Sequence, residues 1–305
     1  MKETFLTVLK GFCMGSADVI PGVSGGTMAL ILGIYERLIR AIRSFDLVWL
    51  RGVVRLDAGV ITGRPDLGFL VPLLFGIVLA LLFFTRVIPV PRLLETYPEP
   101  VYSLFFGLIL ASVVYLIRRF HGWGAGDGAV LIAGVVLGWR VFTLIPVETP
   151  DATWFLVLSG ALSICAMLLP GISGSFILLI LKKYSTVFSA IGYFNLSVLL
   201  PFALGAVAGL MAFSRLLSLL LFRWYRGTVV FITGLLIASL WVIWPYQERL
   251  YQTISGSRKL VASSPVLPAA VDATLWLSLA LFLTGCAAVY AIHRLADKTT
   301  VNRES

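Results

Sequence analysis

The sequence predicts an all-α, polytopic membrane protein arranged as an inverted repeat, each half a re-entrant helical hairpin followed by three transmembrane helices. Three observations predict it. First, 59% of the 305 residues are hydrophobic and only 13% are charged, against roughly a quarter charged in ordinary globular domains; mean hydropathy is +0.97. Second, runs such as Leu67–Phe84 and Leu196–Phe213 are long enough to cross a bilayer, which takes about 20 apolar residues. They are continuous and not alternating, which excludes a closed β-barrel. Third, Pro-Gly-x-Ser-Gly interrupts two such apolar stretches, at Pro21 and at Pro170.

The first element, about residues 4–40, contains ADVIPGVSGGTMALILGIYERLIR from Ala17 to Arg40. Lys10 breaks the apolar run before it, so a cleaved signal peptide is not expected and the N-terminus should be retained. Pro21 should stop one half-helix and Gly22 should let the chain turn back. Ser24 is a strong N-cap for the next half-helix. Gly25 and Gly26 leave the first-turn amides uncovered. Gly22, Val23, Ser24, Gly25, Gly26 and Thr27 would thus offer free N–H groups, a positive dipole end and hydroxyls to an anion. Non-helical backbone inside a bilayer survives only where protein buries it or water reaches it. The plainer reading is that small residues let helices pack closely; a second copy at an equivalent position weighs against it.

Three spans follow, at about 67–88, 99–119 and 127–147, closing a first repeat over 1–150. The second repeat, 151–305, opens with a hairpin at about 153–192 that carries LLPGISGSFILLILKKY. Pro170 matches Pro21 and Tyr184 matches Tyr35, both at an offset of 149. Its spans, about 196–222, 227–246 and 272–294, match in order. Pro72, Gly76 and Arg86 pair with Pro201, Gly205 and Arg215 at an offset of 129, and GLILAS at 107–112 pairs with GLLIAS at 234–239. A hairpin that enters and leaves on one side gives each half three crossings, and an odd number turns the second half upside down. With both termini in the cytoplasm, sixteen Lys and Arg fall inside and eight outside, as the positive-inside rule requires. The net charge of +9 is thereby explained without nucleic acid.

Gly171, Ser173, Gly174 and Ser175 would form the second half of a central anion pocket. Arg86 and Arg215, at matched positions, could clamp phosphate oxygens or merely snorkel at a membrane edge. Arg37 is a third cationic candidate, against ordinary cytoplasmic positive charge. Asp18 stands in an apolar setting where Met167 is its counterpart. Intramembrane carboxylates are costly and often hold a proton or cation, so Asp18 is the candidate for coupling to a proton or sodium. Glu36 is a weaker candidate that could simply pair with Arg37 or Arg40. The three cysteines, Cys13, Cys165 and Cys286, lie singly, and the two histidines stand apart. No metal site, disulfide framework or cofactor is expected.

GSADVIPGVSGGTMALILGIYERLI, with the second LLPGISGSFILLIL, resembles the PopT-type polyprenyl-phosphate transporters, a bacterial membrane family long filed as a domain of unknown function. The resemblance covers nearly the whole chain. It implies a flippase of the bacterial inner membrane that returns undecaprenyl phosphate, the lipid carrier of cell-wall synthesis, to the cytoplasmic leaflet. The family motif falls on Asp18, Pro21, Gly22, Ser24, Gly25, Gly26, Thr27, Glu36 and Arg37, and again on Pro170, Gly171, Ser173, Gly174 and Ser175. In the second copy Ser175 and Phe176 replace a glycine and a threonine, so the two loops need not contribute equally.

Two other functions share parts of this pattern. A small-anion channel or exchanger would use the same pocket without a lateral opening to lipid. An integral membrane lipid phosphatase would need a nucleophile or an acid–base pair, and no histidine stands near Ser214-Arg215; an enzyme is therefore not expected. Oligomeric state has no signature in the sequence.

Overall fold

The computed structural model describes residues 2–20, 23–87, 93, 96–144, 149–150, 152–254 and 257–304. It is helical almost throughout. The first part contains α1 (Lys2–Asp18), α2 (Gly25–Ile31), α3 (Tyr35–Arg43), α4 (Leu47–Val54), α5 (Ala58–Gly63), α6 (Leu67–Arg86), α7 (Pro98–Arg119) and α8 (Ala125–Phe142). The second contains α9 (Thr153–Leu168), α10 (Gly174–Ile180), α11 (Tyr184–Gly192), α12 (Leu196–Arg223), α13 (Tyr225–Val242) and α14 (Ala273–Glu304). Six of these, α6, α7, α8, α12, α13 and α14, are long and apolar enough to cross a membrane. Their outward faces are apolar, with Val71, Leu74, Phe75 and Leu204 all exposed, as a lipid-facing surface requires.

Two features depart from the expected run of helices. Two strands form an antiparallel ribbon, β1 (Gln247–Ile254) and β2 (Ser257–Pro265), with Gln247 opposite Pro265. The connection between α3 and α6 folds into α4 and α5, whose N-termini are capped by the carboxylates of Asp46 and Asp57. Each apolar hairpin stretch also breaks a second time. Gly33 has φ +68° between α2 and α3, and Lys182, at the same offset of 149, has φ +51°. The pair α10 and α11 is bent by 119° there.

Close glycine contacts fix how the helices run. A β-carbon on Gly76 would strike the Val8 carbonyl, and one on Gly11 the Leu73 carbonyl. Gly205 stands in the same relation to Val157, and Gly160 to Phe202. Those are the same contacts moved by 149 residues in one helix and 129 in the other. Gly15 packs on Ile77 beyond Gly11 on Leu73, so α1 and α6 run in the same direction. So do α9 and α12, where Val157 meets Gly205 and Ala161 meets Gly209.

The remaining spans pair across the two parts. Gly107 of α7 packs on Phe282 of α14, and Gly234 of α13 packs on Leu131 of α8. Gly285 meets Leu104, as Gly134 meets Phe231. Each member of these pairs is again its counterpart's equivalent, so the two interfaces are one contact made twice. The helices α7 and α13 run in opposite directions: Phe120 lies against Tyr225 and Phe106 against Trp244, with ring centroids 6.4 and 5.3 Å apart. Glycine at each of these crossings lets the backbones approach closely, which packs helices where lipid gives no hydrophobic drive.

Candidate functional site

The two interrupted loops meet. The Gly171 amide donates to Thr27 Oγ1 at 2.8 Å. The Tyr35 hydroxyl donates to the Leu168 carbonyl at 2.8 Å. A β-carbon on Gly26 would face the Met167 and Leu168 carbonyl oxygens at 3.1 and 3.5 Å. These contacts bring Gly26 and Thr27 against residues 167–171, while Ser173 and Ser175 bond to each other and Gly174 to Ser163. Pro21 and Gly22 lie outside the described residues.

Local sequence explains the first loop. Ser24 has extended backbone and its Oγ accepts from the Thr27 amide, as an N-cap does; Ser24 Oγ and Thr27 Oγ1 lie 3.1 Å apart. Both hydroxyls are buried. The Gly25 amide is taken as well: it donates to Asp18 Oδ1 at 2.7 Å. No side chain could stand at Gly25 without striking that carboxylate, whose Oδ2 is 2.7 Å from the β-carbon position. The anion position at the start of α2 is therefore filled by the chain's own carboxylate.

The second loop is built differently. Gly171 takes φ +94°, a value that favours glycine, and its backbone packs on Leu235 and Ser239 of α13. Ser173 begins α10 without a side-chain cap bond and instead pairs with Ser175 at 2.7 Å. Ser175 is exposed. Ser163 Oγ donates to the Gly174 carbonyl at 2.7 Å. Phe176 stands where Thr27 stands in the first loop, its ring tilted against Phe142 with centroids 5.7 Å apart. The second loop thus has no carboxylate and no buried hydroxyl of its own to cross the gap; it supplies the amide.

Among the described residues, none of the three arginines hydrogen-bonds to the loops. Arg86 ends α6 and Arg215 lies within α12; both are exposed, and neither has an ion pair or hydrogen bond among the described residues. Arg37 donates Nε–H to Asp66, the N-cap of α6, at 2.8 Å, and its guanidinium lies 4.5 Å from the Phe69 ring centroid. Asp66 stands three turns back along α6 from Ile77, the residue that meets Gly15. The chain between Asp18 and Arg37 therefore comes back toward the end where α6 begins. Glu36 accepts from the Tyr225 phenol on α13, and the Arg119 guanidinium of α7 lies over that same ring; Glu36 has no ion pair with Arg37 among the described residues.

Two participants escaped the sequence reading. Tyr35 marked the repeat, but its bond to Leu168 had no signal beyond that match. Ser163 lies in an apolar helix, where a serine reads as packing.

Comparison with known proteins bears on what such a site handles. The family described as undecaprenyl phosphate translocase-like matches residues 14–261. A polyprenyl-phosphate transporter of Vibrio cholerae is 41% identical over 263 residues, covering 84% of this chain and 82% of that protein. A polyprenyl-phosphate transporter of Staphylococcus aureus is 32% identical over 262 residues, covering 79% of this chain and 86% of its own. No solved structure matches.

Proposed function

Because the chain belongs to the undecaprenyl phosphate translocase-like family, we propose that it is a flippase that returns undecaprenyl phosphate to the cytoplasmic leaflet of the bacterial inner membrane. The observation that carries this reading is the Gly171–Thr27 bond, which ties two interrupted, duplicated loops to each other. A phosphate at the bilayer centre is costly, and irregular backbone belongs there only where protein buries it or it lines a wet path. The head passes between the loops while the prenyl tail stays in lipid. The two repeats are inverted, each opening with a re-entrant hairpin; the opposite directions of α7 and α13 and the same directions of α1 with α6 support this. Both termini face the cytoplasm. Cysteines at Glu36 and Ser185, exposed equivalents, should then label from opposite sides; labelling from one side would contradict the inversion.

Asp18 gives the cycle its coupling. While ionised on the Gly25 amide it repels a phosphate; protonation or a sodium ion removes the repulsion, so anion and cation load together. Arg86 and Arg215 meet the head on the two sides. Losing a charge-assisted hydrogen bond costs about 1.5–3 kcal/mol, so Arg86→Ala and Arg215→Ala should each weaken lipid binding roughly tenfold; unchanged binding would leave them as anchors.

The test is reconstitution. Liposomes carrying undecaprenyl phosphate in both leaflets are exposed to an impermeant phosphatase. Empty liposomes should lose about half of the phosphate and protein-containing ones nearly all. Half in both, or flux of small anions in its place, would contradict the reading.

A further inference from the structure

A cavity of about 270 Å³ opens beside the start of α6, lined by Arg37, Arg40, Ala41, Ser44, Arg64 and Asp66. We infer that it is a phosphate-monoester site, the station at which the lipid head is held on the cytoplasmic face, apart from the paired loops; this rests on the proposed function.

Three guanidinium groups line the cavity against one carboxylate. Two of them are fixed in place. Arg64 is bound through Nε and Nη2 to Asp46, whose Oδ1 also accepts the Val48 and Trp49 amides at the start of α4. Arg37 is held by Asp66, whose Oδ1 accepts the Phe69 amide. The carboxylates are anchored by the backbone, and they anchor the arginines. Arg37 uses only Nε–H, which leaves both terminal nitrogens available. Arg40, one turn further along α3, is exposed and has no ion pair or hydrogen bond among the described residues. Planar guanidinium groups with spare N–H donors match phosphate oxygens in a way that a lysine cluster does not.

The setting favours a lipid over a free ion. The α6 helix rises from Asp66 with Val71, Leu74, Phe75 and Val78 exposed on its outer surface. A head in the cavity would leave its chain along that apolar face. A diffuse basic surface would attract any anion and fade with salt; a built site distinguishes its own arginines from their neighbours.

The experiment uses the full-length protein in nanodiscs and a short-chain prenyl monophosphate with a photoreactive group on its first isoprene. Crosslinks should map to residues 35–75. Their yield should fall roughly tenfold in Arg40→Gln, the loss of one charge-assisted contact, and stay unchanged in Arg55→Gln, an exposed arginine at the end of α4 outside the cavity. The matching prenyl alcohol should not crosslink there. No crosslink in this segment, an equal loss in both variants, or equal labelling by the alcohol would overturn the site. Competition by inorganic phosphate at the same concentration as the lipid would overturn its assignment to a lipid head. Transport in the phosphatase assay without these crosslinks overturns this site alone; the crosslinks without transport overturn the proposed function and leave the site.

Discussion

The Gly171 amide and the Thr27 hydroxyl oxygen lie 2.8 Å apart, joined across 144 positions of the chain. Thr27 is fully buried, so no water replaces its oxygen. Thr27→Val keeps the shape and removes the acceptor. It should lower stability by about 1–3 kcal/mol, the cost of an unpaired buried amide. Thr27→Ser should recover most of that loss. Thermal unfolding of the purified variants measures both, and a valine variant as stable as the parent would show that the loops are held by something else.

The duplicated glycine contacts make a paired prediction. Gly76→Val and Gly205→Val each force a side chain into a backbone carbonyl, at Val8 and Val157 respectively. Overpacking of this kind costs about 1–3 kcal/mol, and the two losses should be similar because the contacts are equivalent. Gly128→Ala, where a β-carbon meets nothing within 4 Å, should be harmless. A strong effect at one site of the pair and none at the other, again read by thermal unfolding, would break the equivalence.

Asp18→Asn tests the coupling. The amide oxygen can still accept from Gly25, so the loop should hold its shape. With the charge gone, lipid binding should persist or tighten, and transport should lose its dependence on pH or sodium. Liposome transport measured across a pH and sodium series gives the answer. Unchanged ion dependence would make Asp18 a cap for α2 and nothing more.

On the proposed cytoplasmic side, pH acts through Asp46. Its hydrogen bonds to the Arg64 side chain, then to backbone amides at the start of α4, hold the carboxyl well below the usual carboxylate range. A depressed carboxyl contributes order that is fully present above its unfolded value, near 4, and is lost as pH falls through the folded one. The connection from α3 to α6 should therefore resist protease equally at pH 7 and pH 5. It should loosen only in stronger acid, while Asp46→Ala should be cut readily at pH 7. Equal cleavage of parent and variant at pH 7 would show that the cap and ion pair do not order this segment.

Much of this architecture was written in spacing. The offset of 129 identified Gly76 with Gly205, and the structure gives both the same contact, on Val8 and Val157; that Gly11 and Gly160 are likewise equivalent came only from their contacts. The six apolar spans followed from apolar length, and the break at Pro170-Gly171 from helix-breaking residues. What spacing did not carry was side-chain reach. Nothing in the sequence says that Asp18 turns onto an amide seven residues later, or that Arg37 turns toward Asp66. The second break was half visible: Gly33 suits a positive φ, but its equivalent Lys182 does not. The ribbon of β1 and β2 and the caps at Asp46 and Asp57 carried ordinary local signals, but they lie in connections that apolar periodicity passes over.

The most direct test of the central claim is the rate of undecaprenyl phosphate translocation in liposomes by the parent protein and by Gly26→Leu, measured side by side with impermeant phosphatase. Gly26 packs against the carbonyls of Met167 and Leu168 with barely room for a β-carbon, so leucine would wedge into the contact that the head must part. Size-exclusion profile and thermal unfolding confirm that the variant is folded. Rapid translocation by the parent and none by a folded Gly26→Leu protein is the expected result. Equal rates in the two would mean that the lipid head does not pass between the loops.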